Sequence, residues 1–341
     1  MNSLERVLAA LQGQPSDRPP FLLNLSLYGS RLTGAPVKVH FADPAVYAEG
    51  QMAVRETFGP DLLLSPFLVS ALGEAFGSRA GGPPEQAPNV RAFAADSASA
   101  ALRLPLPDVD GHPRLLYLRE TIRILSRKYE GEVPVIGLLV SPLDLPPLII
   151  GLEAWLEALL FQPEEARALL DRCTDFFVQL GTAMLQDGAT ALALTANLAN
   201  RFMVPPEVVA GISRPALERA FSRIPGPIIV HHGGCPLVPH LADFAGLPQV
   251  VGFLVDAGED LVTARATLGP GPLLLGNLDG PGLAELPPGQ VRVLCERALA
   301  AASEDPQFIL ATSGADVPLG TPPECLQAIT ESICLAGGGL R

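Results

Sequence analysis

PIIVHHGG, residues 227–234, decides the fold. Its apolar part is short and rich in β-branched residues, and it lacks the polar alternation of a strand with one wet face. A strand covered on both faces belongs to a parallel sheet whose strands alternate with helices. The run stops at His231 and His232 and is followed by Gly233 and Gly234. Reactive side chains therefore gather at the strand's C-terminal end, just before a turn.

Seven further runs share this character: FLLNLSL (21–27), DLLLS (61–65), VPVIGLLV (133–140), TALALT (190–195), VVGFLV (250–255), PLLLG (272–276) and FILAT (308–312). Helical patterns lie between them. Asp43 to Phe58 opens on Asp-Pro, a cap followed by a first-turn proline. Others cover Leu115 to Tyr129, Leu152 to Asp187 with a break near Pro163, Pro206 to Arg223, Leu237 to Phe244, Asp260 to Leu268, Gly289 to Ala302 and Pro322 to Leu335. Eight strand–helix repeats predict an α/β fold of the (β/α)8 TIM barrel type. Residues 1–341 read as a single barrel domain. Leu4, Val7, Leu8 and Leu11 follow helical spacing and mark an N-terminal helix at about 3–13. The stretch at about 77–113, rich in Ala, Gly and Pro, reads as an insertion after the second strand with room for a short hairpin. A doubly wound open sheet is the alternative, but no GxGxxG follows the first strand.

Composition narrows the function classes. Apolar residues make up 48% of the 341 and charged residues 17%, enough for a large buried core. With 23 basic and 36 acidic residues the net charge is −13, which argues against a nucleic-acid partner. The five cysteines, Cys173, Cys235, Cys295, Cys325 and Cys334, are far apart and form no CxxC pair. That argues against a disulfide framework or zinc ribbon and fits a reducing, cytoplasmic location. The N-terminal MNSLERVLAALQG has neither a basic n-region nor a long apolar h-region, so no signal peptide is expected. The most apolar long stretch, Val133 to Gly151, holds four prolines and Asp144, which makes a membrane span unexpected.

In a barrel, chemistry sits at the C-terminal strand ends. Reading those ends gives His231, Asp256 and Asp316 as catalytic candidates, and Asn24, Tyr28, Arg31, Asn197, Arg201 and Asn277 as substrate-binding candidates. Asp279 follows the seventh run and Asp144 the third. Each Asp has a plainer reading as a loop or helix cap, and each Arg as half of a surface salt bridge. Neighbouring side chains on a strand point to opposite sides, so one of His231 and His232 faces the mouth and the other packs away from it.

The same segments resemble the uroporphyrinogen decarboxylase superfamily, including its zinc-dependent methylcobamide:thiol methyltransferase branch. The resemblance is carried in order by FADPAVYAEGQMAVRETFGPD (41–61), VIGLLVSPLDLPPLIIG (135–151), QDGATALAL (186–194), PIIVHHGG, LLLGNLDG (273–280) and FILATSGADVPLGTPPE (308–324). It implies the same barrel and often a homodimer, and it selects His231 as the functional histidine, with Asp256 expected to hold its ring. The methyltransferase branch binds zinc through His-x-Cys after strand five and a Cys in Gly-Cys-Asp after strand eight. Here His231 matches the histidine, but Gly233 and Ala315 stand at the two cysteine positions. The metal set left by the resemblance is His231 with Cys235, helped by His232 or Asp316. The decarboxylase branch resembles the chain less well. Its Arg-rich loop reads LNLSLYGSRLTGAP (23–36), with Arg31 alone; Leu148 replaces a tyrosine and Ala196-Asn197 an Asp-Ser pair. Asp61 matches a Gly-x-Asp position and is either catalytic or a strand terminator.

The resemblance implies a diverged corrinoid-linked methyltransferase that moves a methyl group between a cobamide, or a related tetrapyrrole, and a small acceptor, with a corrinoid protein as partner. The alternatives are a decarboxylase-like lyase acting on a porphyrinogen or smaller acid, and a non-catalytic tetrapyrrole or corrinoid binder. Zinc on a weakened site, a corrinoid as methyl donor or acceptor, and no cofactor at all remain open at this point.

Overall fold

The computed structural model describes residues 1–338. All eight apolar runs are strands: β1 (Phe21–Leu22), β2 (Leu63–Leu64), β3 (Val135–Val140), β4 (Ala191–Thr195), β5 (Ile228–His231), β6 (Val250–Leu254), β7 (Leu273–Asp279) and β8 (Phe308–Ser313). They form one parallel sheet in the order β1-β8-β7-β6-β5-β4-β3-β2, a TIM barrel wrapped by helices.

The two-residue period of a strand divides the apolar residues into two cores. Leu22, Leu64, Ile136, Ile229, Leu254, Leu275 and Ile309 point inward and fill the barrel. Their neighbours Phe21, Leu63, Val135, Val230, Phe253, Leu274 and Leu310 point outward into the layer shared with the helices. The helix Ser3–Leu11 is capped by Asn2, whose side chain accepts the Glu5 N–H while Glu5 returns the bond. Its Val7, Ala10 and Leu11 pack on the interior cluster and close the N-terminal end of the barrel, so the open end is the one that carries the polar residues.

β1 and β2 are much shorter than the apolar runs that contain them. Beyond Leu22, side chains replace the backbone ladder: Asn24 N–H donates to Thr312 Oγ1 at 2.7 Å and Ser26 N–H to Asp316 at 2.8 Å. On the other side, Leu138 N–H donates to Ser65 Oγ at 2.8 Å. The seam between β1 and β2 is bridged by Asp61, whose N–H donates to the Phe21 carbonyl at 2.8 Å and whose carboxylate accepts the Phe21 N–H at 3.1 Å. β7 is longer than expected and takes in Asn277 and Asp279, which lie within the strand and not after it.

Among the helices, Asp43 caps Pro44–Phe58, and Pro163 separates Leu152–Phe161 from Pro163–Gln186. The helix expected over 206–223 is interrupted by a widened π turn, Val209–Ser213, ahead of Pro215, a residue that has no N–H to continue the regular ladder. The stretch after β2 holds an antiparallel hairpin, Arg79–Gly81 with Asn89–Ala92. Among the described residues, no helix is long and apolar enough to cross a membrane.

Candidate active site

The inward parity continues past the apolar layer into polar residues. Two residues beyond Leu22, Ile229, Leu254 and Leu275 stand Asn24, His231, Asp256 and Asn277, all at the C-terminal mouth. Below them lies a cavity of about 40 Å³, lined by apolar side chains together with Asn24, His231 and Thr312. Asn24 is only 8% exposed, and its amide oxygen is buried without a hydrogen-bond partner.

His231 and His232 both turn toward the mouth. Their rings stack with centroids 4.5 Å apart and planes 19° apart. The expectation that His232 points away is therefore corrected: the strand ends at His231, so strict alternation no longer governs the next residue. His232 Nε2 accepts the Gly314 N–H at 3.0 Å, which ties the β5 loop to the β8 loop. Its Nδ1 lies 3.3 Å from the Asp256 carboxylate. That Nδ1 also accepts the Gly234 N–H at 3.0 Å, so backbone N–H groups point at both ring nitrogens. Asp256 thus lies beside the ring of His232, not that of His231. On His231, Nδ1 accepts the Gly233 N–H at 2.8 Å, so the proton of the neutral ring sits on Nε2 at the cavity. Burial, then the neighbouring His232, push the His231 pKa down to about 3. Burial also lowers His232, against the pull of Asp256 and Glu259. Both rings are neutral near pH 7. Gly233 has φ +64°, and a Cβ there would stand 2.0 Å from Asn197 Oδ1, so glycine is what lets the two loops meet.

Carboxylates organise the rest of the mouth. Glu259, which strand-end reading missed, accepts the N–H groups of Leu237, Val238 and Asp256 at 2.6–2.9 Å. The Asn277 amide donates to the Asp256 and Glu259 carbonyls at 3.1 and 2.6 Å. Asp144, 9% exposed, accepts Thr195 Oγ1, Asn197 N–H and Leu198 N–H at 2.9–3.0 Å. It thereby places Asn197, whose own amide oxygen is buried without a partner. Burial raises the Asp144 carboxyl above its ordinary range against these three bonds. Asp316 pins the β1 loop through the Ser26 N–H; burial pushes its pKa up to about 7, opposed by the Leu27 and Ser26 N–H groups. Asp279 is exposed and accepts the Gly282 N–H at 3.2 Å, as a turn cap.

Other sequence candidates lie elsewhere. Tyr28 is fully buried, and its hydroxyl donates to the Thr321 carbonyl at 2.8 Å. Arg31 stacks over the Tyr28 ring and donates to the Leu319 and Thr321 carbonyls. Arg201 forms a two-bond pair with Asp243 at 2.6 and 2.8 Å. Tyr28 is thus placed in the core, and both guanidiniums are spent on loop anchoring instead of facing the mouth. Asp61 lies at the opposite end of the barrel, fully buried against Arg18, Arg6 and Ser3; it stands just before β2 and so does not terminate that strand.

The zinc implied by the resemblance does not fit these residues. His231 presents a ring proton to the cavity where a ligand nitrogen would need a lone pair. The Cys235 thiol has its pKa raised by burial and by Asp144 and Asp256, which opposes thiolate formation. Among the described residues, no three His, Cys, Asp or Glu side chains are grouped to hold a metal.

Comparison with known proteins agrees with this architecture. The family model described as uroporphyrinogen decarboxylase (URO-D) matches residues 2–334. The chain is 28% identical over 282 residues to the methylcobamide:CoM methyltransferase MtbA of Methanosarcina acetivorans, covering 81% of this chain and 82% of that protein. It is 27% identical over 231 residues to a uroporphyrinogen decarboxylase of Xanthomonas axonopodis, covering 64% and 61%. A solved methyltransferase from Methanosarcina mazei superposes with a TM-score of 0.86 at 20% identity, covering 98% of this chain and 99% of that one. With the family model matching from Asn2 to Cys334, nearly the whole chain, the chain belongs to the uroporphyrinogen decarboxylase family.

Proposed function

We propose that this protein is a corrinoid-linked methyltransferase whose barrel mouth binds a small methyl acceptor while the corrinoid stays outside. The size of the cavity carries this reading. About 40 Å³ holds about three water-sized groups, so an acceptor head fits and a tetrapyrrole does not. A porphyrinogen would also need cationic partners for its carboxylates, and Arg31 and Arg201 are already bonded to carbonyls and to Asp243. The similarity to methylcobamide:CoM methyltransferases supports the same branch.

The corrinoid is a substrate in this scheme. An acceptor R–XH loses its proton to solvent, and X attacks the methyl carbon. The C–Co bond breaks with its electron pair left on cobalt, giving R–X–CH3, Co(I) and H⁺ from R–XH and CH3–Co(III). His231 directs its Nε2–H at X, orienting it and stabilising the charge that builds there. Asn24 fixes the other side of X. The Asp256–His232–Gly314 chain keeps His231 stacked in place.

The test is anoxic mixing with methylcobalamin and a panel of small thiols, alcohols and amines, followed by the visible spectrum. Acceptor-dependent formation of cob(I)alamin is expected, slowed on the order of 100-fold in His231→Ala. Carbon dioxide release from a porphyrinogen without methyl transfer would establish the lyase instead. Corrinoid binding without turnover of any acceptor would establish a carrier.

A further inference from the structure

The cavity under the mouth carries a second message, about charge. Its lining contains no Asp, Glu, Lys or Arg; the polar groups are the Asn24 amide, the His231 imidazole and the Thr312 hydroxyl, and the remaining wall is apolar. Asn24 is 8% exposed, and its Oδ1 has no partner, a deficit that a ligand donor would remove. Thr312 Oγ1 already accepts the Asn24 N–H at 2.7 Å, which leaves its own proton to offer. One acceptor and two donors therefore line an otherwise apolar pocket with room for about three water-sized groups.

We propose that the cavity selects a short, uncharged aliphatic molecule with one X–H head, a thiol or alcohol of two or three carbons, as the methyl acceptor. The acceptor role rests on the methyl-transfer reading above. The head donates to Asn24 Oδ1 and accepts from His231 Nε2–H and Thr312, while the alkyl tail lies against Leu64, Ile136, Ala193 and Leu254. An anionic tail, sulfonate or carboxylate, would be buried among these side chains with no counter-charge, which is far more costly than burying a methyl group.

Binding is measured on the full chain without corrinoid, by ligand-observed NMR, so that the readout does not depend on methyl transfer. The probes are ethanethiol, 1-propanol and 2-mercaptoethanesulfonate, the last keeping the thiol head and adding only the anionic tail. Millimolar affinity is expected for the neutral probes, as suits so few atoms, with the sulfonate at least about 100-fold weaker. Comparing ethanethiol with 1-propanol separates the two head types. Asn24→Leu should weaken the neutral probes about tenfold, and Ala193→Leu should abolish binding by filling the pocket. Ala193→Val serves if the larger side chain prevents folding, with a graded loss expected. Equal or tighter binding of the sulfonate, absence of binding by both neutral probes, or indifference to all the variants would overturn the proposal. Neutral binding that responds to the variants, with no methyl transfer, supports the ligand class and removes the methyl-transfer reading alone.

Discussion

Replacing Asp61 by alanine tests whether this carboxylate closes the barrel or performs chemistry. It is 0% exposed and accepts from Arg18 at 2.6 and 3.0 Å, Arg6 at 3.2 Å, Ser3 Oγ at 2.7 Å and Phe21 N–H at 3.1 Å. Removing one partner of a buried ion pair costs about 3–5 kcal/mol. The lower end applies, because Arg6 keeps Asp17 at 2.7 Å and the Arg6 and Arg18 side chains are 13% and 16% exposed. The Phe21 N–H and the Ser3 hydroxyl, however, lose their acceptor inside the seam. A loss of about 3 kcal/mol lowers the folded-to-unfolded ratio about 150-fold and moves a urea midpoint down by about 1 M for an m-value near 3 kcal/mol/M. Trp155, the sole tryptophan and fully buried, reports the transition by its fluorescence. Asp61→Asn keeps one acceptor oxygen and should fall between. Turnover per folded molecule should stay near wild type in both, since the seam lies at the end opposite His231. An Asp61→Ala protein as stable as wild type but without turnover would refute this reasoning and restore Asp61 as a catalytic group.

Three further outcomes are expected. His232→Ala should lose about 1–3 kcal/mol of stability, because the part-buried Gly314 and Gly234 N–H groups lose their acceptors, whereas His231→Ala should lose less stability and far more turnover; urea titration beside methyl-transfer rates decides, and the reverse split would exchange the two roles. The Asp316 carboxyl is raised to about 7 from an unfolded value near 3.8, so its contribution is fully present below about pH 4 and is lost as pH rises to about 7; Asp316→Asn should flatten the fall in melting temperature across that window, and parallel curves would show that another group is responsible. Treatment with a strong zinc chelator should leave methyl transfer unchanged, since Gly233 and Ala315 replace the two thiolates; activity lost to the chelator and regained with zinc would contradict the donor set described for His231.

The barrel was legible because burial on both faces writes itself into a strand as an unbroken apolar run, and PIIVHHGG or TALALT needs no partner sequence to show it. The same period then places Asn24, His231, Asp256 and Asn277, since each continues an inward row by two. What escaped notice lies where that period stops. His232 sits one residue past the end of β5, where a Gly-Gly turn sets its direction, and its partner Gly314 is 82 residues away. Glu259 spends its carboxylate on three backbone N–H groups, a role with no spacing to betray it. Arg31 and Arg201 read as substrate-binding residues because a lone arginine near a strand end has no visible competitor; their actual partners, the Leu319 and Thr321 carbonyls and Asp243, are brought in by loop packing. The missing thiolates were plain in the sequence, but their consequence was not. The mouth is held by hydrogen bonds from loop to loop, and each histidine accepts backbone N–H groups. Under the proposed function, selectivity falls to the three polar groups that line an apolar pocket, Asn24, His231 and Thr312, more than to the titratable residues around them.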